Sequence, residues 1–390
     1  MPVAKYIAQQ LERSSWIRRM FDEGARLKKE RGAENVFDFT LGNPEVEPPE
    51  QTLEVLRKVV ASGKAHSHGY MPNPGFPEVR TSIAGKLSRD TGLAFSADHI
   101  CMTVGAAAAV NVVLKAILDP GDEVILLSPF FAEYPFYVGN HGGQVKIVET
   151  DDNFLPDVGR LAAAITPRTR AIMLNTPNNP TGRVYPATLL RELDAMLDGL
   201  ANPPLVISDE PYKNLVYDGG TQPQVISHIK QSAICFSWSK SQGLAGERIG
   251  YLALSPRLPD VQPMAAACAF ANRTLGFVNA PALWQLVIAE SADACVDVAA
   301  YQKKRDVLCD GLAAAGYDVT KPEGGYFVFM KTPIADDVAF VRMLVDQGVL
   351  AVPGTGFGRG GYLRLSITVP LDTIERSLPG FKKARDAARG

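Results

Sequence analysis

From about residue 50 onward, short apolar runs alternate with longer stretches in which apolar side chains recur at helical spacing. The runs occupy residues 123–127, 145–148, 171–174, 205–208, 233–236 and 249–254. Runs this short and this uniformly apolar predict strands covered on both faces, so the chain reads as α/β, with a largely parallel sheet between helices. In such a sheet the polar loops that follow the strands converge on a ligand crevice.

The two ends of the chain follow a different pattern. Residues 4–31 read as one or two amphipathic helices, with Arg13, Arg18, Arg19, Arg26, Lys28 and Lys29 set among Leu11, Trp16, Ile17, Met20 and Phe21. Glu12, Asp22, Glu23 and Glu30 offset that charge, which favours an arm packed on another surface over a nucleic-acid patch. Pro44, Pro48 and Pro49 forbid regular helix and mark a loop. Towards the other end, residues 281–312 read as one connecting helix, and 322–329 and 363–368 as strands. Gly356, Gly358 and Gly361 satisfy G-x-G-x-x-G, but that string precedes a strand instead of opening a helix, so it reads as a flexible turn and not as a dinucleotide site.

Composition narrows the class. A chain of 390 residues suggests about two domains, because single cores stop growing near 250 to 300 residues. Forty basic against 42 acidic residues leave a net charge of −2, which provides no field for steering toward nucleic acid or an anionic membrane. Cys101, Cys235, Cys268, Cys295 and Cys309 are widely spaced, without C-x-x-C or paired His/Cys spacing, so the expectation is a reduced, cytoplasmic protein without structural zinc. No apolar run reaches the roughly 18 residues of a membrane span, and no signal peptide is evident.

The candidate chemistry sits at the run ends. Ser237-Trp238-Ser239-Lys240 follows the run at 233–236 and is followed by Arg248. An amine at the end of a buried strand is desolvated, which favours its neutral, nucleophilic form; the plainer alternative is a solvated loop lysine. The other polar groups are Gly105-Ala106-Ala107, Pro129-Phe130-Phe131, Asn178-Asn179-Pro180-Thr181-Gly182 and Asp209-Glu210-Pro211-Tyr212. Taken singly these are a helix entry, core, a turn and an N-cap. Ser237-x-x-Lys240 also fits the S-x-x-K of serine acyl-transferring hydrolases, but the nearest companions, Ser208-Asp209-Glu210 and Lys331-Thr332-Pro333, lack the groups that such a site requires.

The order G-A-A, P-F-F, N-N-P-T-G, D-E-P-Y, S-W-S-K, R-I-G-Y and finally Y-L-R-L-S resembles the class I/II aminotransferases, pyridoxal phosphate (PLP) enzymes of fold type I. The resemblance runs from Gly42 to about Arg364. It implies a large domain with a mostly parallel seven-stranded sheet, a smaller α+β domain, and transfer of an amino group from an L-amino acid to a 2-oxo acid. Lys240 matches the family's imine-forming lysine, Asp209 the partner of the ring nitrogen, and Tyr212 and Asn179 the donors to the ring hydroxyl oxygen. Phe131 matches the ring that stacks on the cofactor. For the phosphate the resemblance implies Arg248, Ser237, Ser239, the amides of Gly105, Ala106 and Ala107, and Tyr70 from a second subunit. Many relatives have serine or threonine where this chain has the two alanines. Arg364, with Asn179 and the backbone at Gly42, matches the clamp on the substrate's α-carboxylate.

Residues 1–48 are expected as an arm and part of the small domain, 49–280 as the cofactor-binding domain, and 281–390 as the connecting helix and small domain. The family also implies a homodimer with shared sites. The same Lys240, Asp209 and Arg248 set serves β-eliminating C–S lyases and cyclising synthases, so the fold alone leaves that alternative open. For side-chain recognition, Arg273 from a partner subunit and an apolar wall of Trp16, Ile17, Phe130 and Phe131 are both candidates.

Overall fold

All six apolar runs form strands, and a seventh precedes them. The structure, a computed structural model, describes residues 3–13, 16–63 and 68–389, and of residues 12, 13 and 16–22 the backbone alone. The central sheet comprises β1 (Ile100–Thr103), β2 (Glu123–Ser128), β3 (Gln144–Glu149), β4 (Thr169–Asn175), β5 (Leu205–Asp209), β6 (Ser232–Ser237) and β7 (Gly250–Leu254) in the order β1-β7-β6-β5-β4-β2-β3. Pairing is parallel from β3 to β6, and β7 runs antiparallel to both of its neighbours. β1 has four residues and all are buried, so it offers no alternation to read.

Register places the chemistry on one edge. Asn175 is opposite Asp209, and Asp209 is opposite Cys235 two residues before Ser237, so three parallel strands end side by side at polar residues. Burial on both faces explains the apolar run of each: β5 and β6 are buried at every position.

A second, antiparallel sheet is built from β8 (Phe327–Lys331), β9 (Val352–Pro353) and β10 (Tyr362–Ser366). Beside it Phe37–Asp38 pairs in parallel with Val349–Leu350, which ties the N-terminal segment to the C-terminal third. Phe39, Tyr326, Phe340, Leu344, Leu365 and Phe381 belong to one apolar cluster beneath these strands. Ahead of it lie α1 (Lys5–Arg13) and α2 (Trp16–Arg31), two helices in the segment expected to hold one or two.

The single helix expected over 281–312 is two, α3 (Ala282–Ser291) and α4 (Val298–Ala314). The Asp297 carboxylate accepts the Ala299 N–H at 2.9 Å and starts a new helix, while the Val296 N–H is donated to the Ser241 carbonyl at 2.7 Å. An N-cap aspartate and a tertiary bond outweigh apolar spacing that runs across the break. The glycine-rich string near residue 356 is a short 3-10 turn, Gly354–Phe357, leading to β10.

Between β1 and the helix Ala106–Ile117, Gly105 has φ +92°, and a Cβ there would lie 2.6 Å from the Arg248 guanidinium. Only glycine takes that backbone angle readily, and only glycine leaves Arg248 its place. Gly105→Ala is therefore expected to destabilise the protein by about 1–3 kcal/mol in denaturant unfolding. Gly246→Ala, where nothing lies within 4 Å and φ is ordinary, should stay within about 0.5 kcal/mol of wild type.

Candidate active site

A cavity of about 390 Å³ opens at the carboxyl ends of the parallel strands and continues to the second sheet. Lys240, Asp209, Tyr212, Asn179, Phe131, Ser237, Ser239, Arg248, Ala106, Ala107, Gly42 and Arg364 all line it. Residues spread over more than 300 positions of sequence thus meet in one place, because strand ends and the 40–42 segment deliver them there.

Lys240 lies in the one-turn helix Trp238–Ser241 directly after β6. Its Nζ donates to the Gly42 carbonyl at 2.5 Å and sits 5.4 Å from the Tyr326 ring centroid. Burial, with Arg364 and Arg248 adding like charge, lowers its amine to about 8. A substantial neutral fraction follows near physiological pH. Ser237 does not serve the lysine: its Oγ accepts the Ser239 N–H at 3.3 Å and caps the turn, so the pair lacks the hydroxyl-to-amine bond of an S-x-x-K hydrolase.

Asp209 ends β5. Its Oδ2 accepts the Tyr134 hydroxyl at 2.6 Å, whereas Oδ1 is buried with no protein partner. Burial raises the carboxyl to about 7, against the Tyr134 bond, which lowers it, and with Glu210 adding to the rise. A protonated ring nitrogen would satisfy the orphan oxygen and favour the carboxylate, so this residue fits the cofactor that the resemblance implies. Asn175 orders the neighbourhood by donating to the Asp209 carbonyl at 2.8 Å and accepting the Asn179 N–H at 2.7 Å. Tyr212 is buried at the next turn of chain, and burial holds its hydroxyl in the protonated, hydrogen-donating form.

The far side of the cavity suits an anion. The helix Ala106–Ile117 begins at Gly105 with no side-chain cap, leaving first-turn N–H groups for a ligand. Gly105 does not itself face the cavity; it supplies the turn. Arg248, at φ +53°, bonds the Ala245 carbonyl at 3.0 Å and the Val104 carbonyl at 3.2 Å, and reaches Ser239 Oγ at 3.5 Å. The guanidinium is thereby held beside Ser239 and the helix start, with no acidic partner among the described residues.

Arg364, from β10, is 2% exposed and has no acidic partner among the described residues. Its Nη1 donates to Asn179 Oδ1 at 3.0 Å and its Nη2 to the Thr40 carbonyl at 2.7 Å, while Nε finds no partner. Phe327 and Phe357 pack on it at 4.1 and 4.6 Å from their ring centroids. Burial lowers its affinity for the proton, yet a guanidinium remains cationic at neutral pH. A buried cation bonded only to neutral oxygens is suited to a carboxylate ligand.

Several expected contributors lie elsewhere. Tyr70 is 96% exposed and away from the cavity of its own chain. Arg273 is exposed near the end of the helix Val261–Thr274, over the Phe270 ring. Phe130 does not line the cavity: it is core, 7% exposed, with its ring against Gly358 and its N–H bonded to the Phe357 carbonyl at 3.0 Å. The Trp16 and Ile17 side chains lie outside the described residues. Conversely, Thr40, Glu133, Tyr134, Tyr137, Asn175 and Phe327 serve or line the site without having been singled out. Asn175 had a signal, since it ends an apolar run as Asp209 does.

The raised Asp209 carboxyl has a consequence for stability. Its folded value near 7 exceeds the unfolded value near 4, so the penalty is absent below about pH 4, grows between, and is complete above about pH 7. In the cofactor-free protein Asp209→Asn should therefore be more stable than wild type at pH 8 by up to about 4 kcal/mol, with the difference vanishing by about pH 4. Unfolding curves across that pH range check the sign.

Comparison with known proteins agrees with this geometry. Residues 34–379 match the family model described as aminotransferase class I and II. The chain is 35% identical to the aspartate/prephenate aminotransferase of Thermus thermophilus, over 92% of this chain and 93% of that one. An aminotransferase structure from Eubacterium rectale superposes with a TM-score of 0.96 at 35% identity, over all of both chains. The Thermus thermophilus aspartate aminotransferase with maleate does so with a TM-score of 0.85 at 31% identity, over 98% of this chain and 100% of that one. The fold type and family implied by the sequence motifs are thus confirmed, and this chain belongs to the class I and II aminotransferases, PLP-dependent enzymes.

Proposed function

We propose that this aminotransferase runs its reaction through Lys240, with Asp209, Tyr212, Asn179, Arg248 and Arg364 in the roles that their positions in the cavity suit. The carrying observation is that a buried amine, an orphaned carboxylate oxygen and a buried guanidinium without a carboxylate partner share one cavity. When bound, the cofactor supplies an electron sink that makes the amino acid's Cα–H acidic.

The chain's own residues do the rest. Lys240, desolvated and held by the Gly42 carbonyl, would be both the covalent anchor and the base that takes the Cα proton and returns it two atoms along, beyond the intervening nitrogen. Asp209, fixed by Tyr134, keeps a ring nitrogen protonated; Tyr212 and Asn179 donate to the ring hydroxyl oxygen; Phe131 covers one ring face. Arg248, Ser237, Ser239 and the amides at Ala106 and Ala107, behind the turn that Gly105 makes, hold the phosphate. Arg364 grips the α-carboxylate through its fork, and Asn179 orients that fork. In this reading residues 49–280 carry the cofactor, and 1–48 with 281–390 carry the carboxylate clamp.

Tyr70 acts only if a second copy brings it across, which its full exposure permits, so the working unit is a homodimer with shared sites. Five unpaired cysteines suit a reducing cytoplasm. Among the described residues no helix is long and apolar enough to cross a membrane, and no cluster of His, Cys, Asp and Glu is placed to hold a metal.

Two measurements test the reading. Holoenzyme mixed with an amino donor and no oxo acid should release about one equivalent of oxo acid per site and no ammonia, and steady ammonia release would instead establish β-elimination. Mixed dimers of Tyr70→Phe and Lys240→Ala subunits should regain activity, because one of their two sites has both groups intact. Recovery no better than the parents alone would remove Tyr70 from the site.

A further inference from the structure

Among the described residues, five charged side chains line the cavity: Lys240, Arg248, Arg364, Asp209 and Glu133. The first four are each matched to a part of the reaction. Glu133 is left over. It stands at the N-cap position of the helix Tyr134–Asn140, yet its side chain makes no capping bond. Its carboxylate is half-buried and has no hydrogen bond or ion pair, and no cation beside it, among the described residues.

Subtraction locates what Glu133 faces. Phe131 is taken by the ring, and the α-carboxylate by Arg364 and Asn179. What remains of the wall is apolar, from Leu41, Pro211, Ala245, Phe327 and the methyl groups of Ala106 and Ala107, apart from Tyr137 and Glu133. Tyr137 and Glu133 are neighbours on one turn, the Tyr137 N–H donating to the Glu133 carbonyl at 3.1 Å. An amino donor anchored at its Cα presents its side chain to this remainder. The three cations that line the cavity among the described residues are already engaged, so of those residues a second carboxylate would meet only apolar groups, one hydroxyl and a like charge.

We propose that Glu133 determines side-chain selectivity, disfavouring donors with a second carboxylate and favouring donors whose side chain ends in an amine or guanidinium cation. The inference rests on the roles proposed above for Lys240, Arg248 and Arg364. It separates this chain from the relatives whose names specify aspartate. A cation facing a half-buried, unpaired carboxylate gains more than it would in open solvent, and a like charge is penalised on the same scale. Charge pairs of this kind change relative rates by about tenfold.

The test uses holoenzyme and amino donors without an oxo acid, so that no dicarboxylate acceptor is present. L-Lysine and L-norleucine differ by the terminal ammonium, and L-aspartate carries the second carboxylate. Rates of the first half-reaction, followed by the cofactor's visible absorbance, should favour lysine over norleucine by about tenfold in wild type, with aspartate slowest. Glu133→Gln should bring the lysine-to-norleucine ratio close to one. Glu133→Arg should raise the reactivity of aspartate and, in calorimetry with maleate as a non-reacting dicarboxylate, tighten binding by about tenfold or more. Aspartate as the best wild-type donor, or an unchanged ratio in Glu133→Gln, overturns the proposal. Should Glu133→Gln fail to retain cofactor, Glu133→Asp decides instead: it keeps the charge and must keep the lysine preference. If no donor alters the absorbance, the roles assigned in the cavity fail; if all donors alter it equally, only the selectivity does.

Discussion

The chemistry of this cavity depends on burying three ionisable side chains, Lys240, Asp209 and Arg364, without giving any of them a counter-ion among the described residues. Each is bonded instead to a neutral group: a carbonyl, a phenol, and an amide with a carbonyl. Pairing them with one another would stabilise the isolated chain and would also neutralise the charges that a cofactor and a substrate must find. Burial with a neutral partner keeps each one oriented while leaving its charge for the ligand.

The contrast one residue along from Asp209 shows that the fold can do otherwise. Glu210 is fully buried as well, but it accepts the Ser208 hydroxyl at 2.7 Å and faces Lys213 at 3.9 Å. Successive residues at a strand end point to opposite sides. On the side away from the cavity the chain supplies a cation, and on the cavity side it supplies only Tyr134. The missing counter-ion is therefore particular to the ligand-facing side.

How much of this was legible in the sequence follows from which interactions are local. The β4, β5 and β6 runs declared themselves because strands buried on both faces are uniformly apolar, and the polar residue that ends each stood out against them. Asp209 was found that way and Lys240 and Asn179 in the polar groups just beyond, while Asn175 was passed over and motif order added Arg248 and Arg364. Tyr134 was not found, because a tyrosine three residues after Phe131 reads as core until its hydroxyl is seen to meet Asp209 from 75 positions away. Thr40 contributes a carbonyl oxygen, which every residue has, so no sequence pattern marks it. Phe130 was misplaced for a related reason: adjacent phenylalanines in a non-helical loop turn to different sides, and sequence does not say which one faces the ligand. The break at 292–297 escaped because Asp297 looked like one more polar residue on an amphipathic helix.

The 40–42 segment shows why such backbone contributions matter. The Thr40 carbonyl holds Arg364 and the Gly42 carbonyl holds Lys240, so the substrate clamp and the reacting amine are held by positions two residues apart. That stretch is anchored from behind: Phe37–Asp38 pairs with Val349–Leu350, and the Ser366 N–H is donated to the Phe39 carbonyl at 2.9 Å. Glycine is needed at 42 because a Cβ would lie 2.5 Å from the Phe327 ring, which itself packs on Arg364. A carboxylate that draws Arg364 Nη2 from Thr40 acts on the same short segment that holds the lysine. The clamp on the second sheet and the nucleophile at the end of the first are thus both held by carbonyls of one short segment.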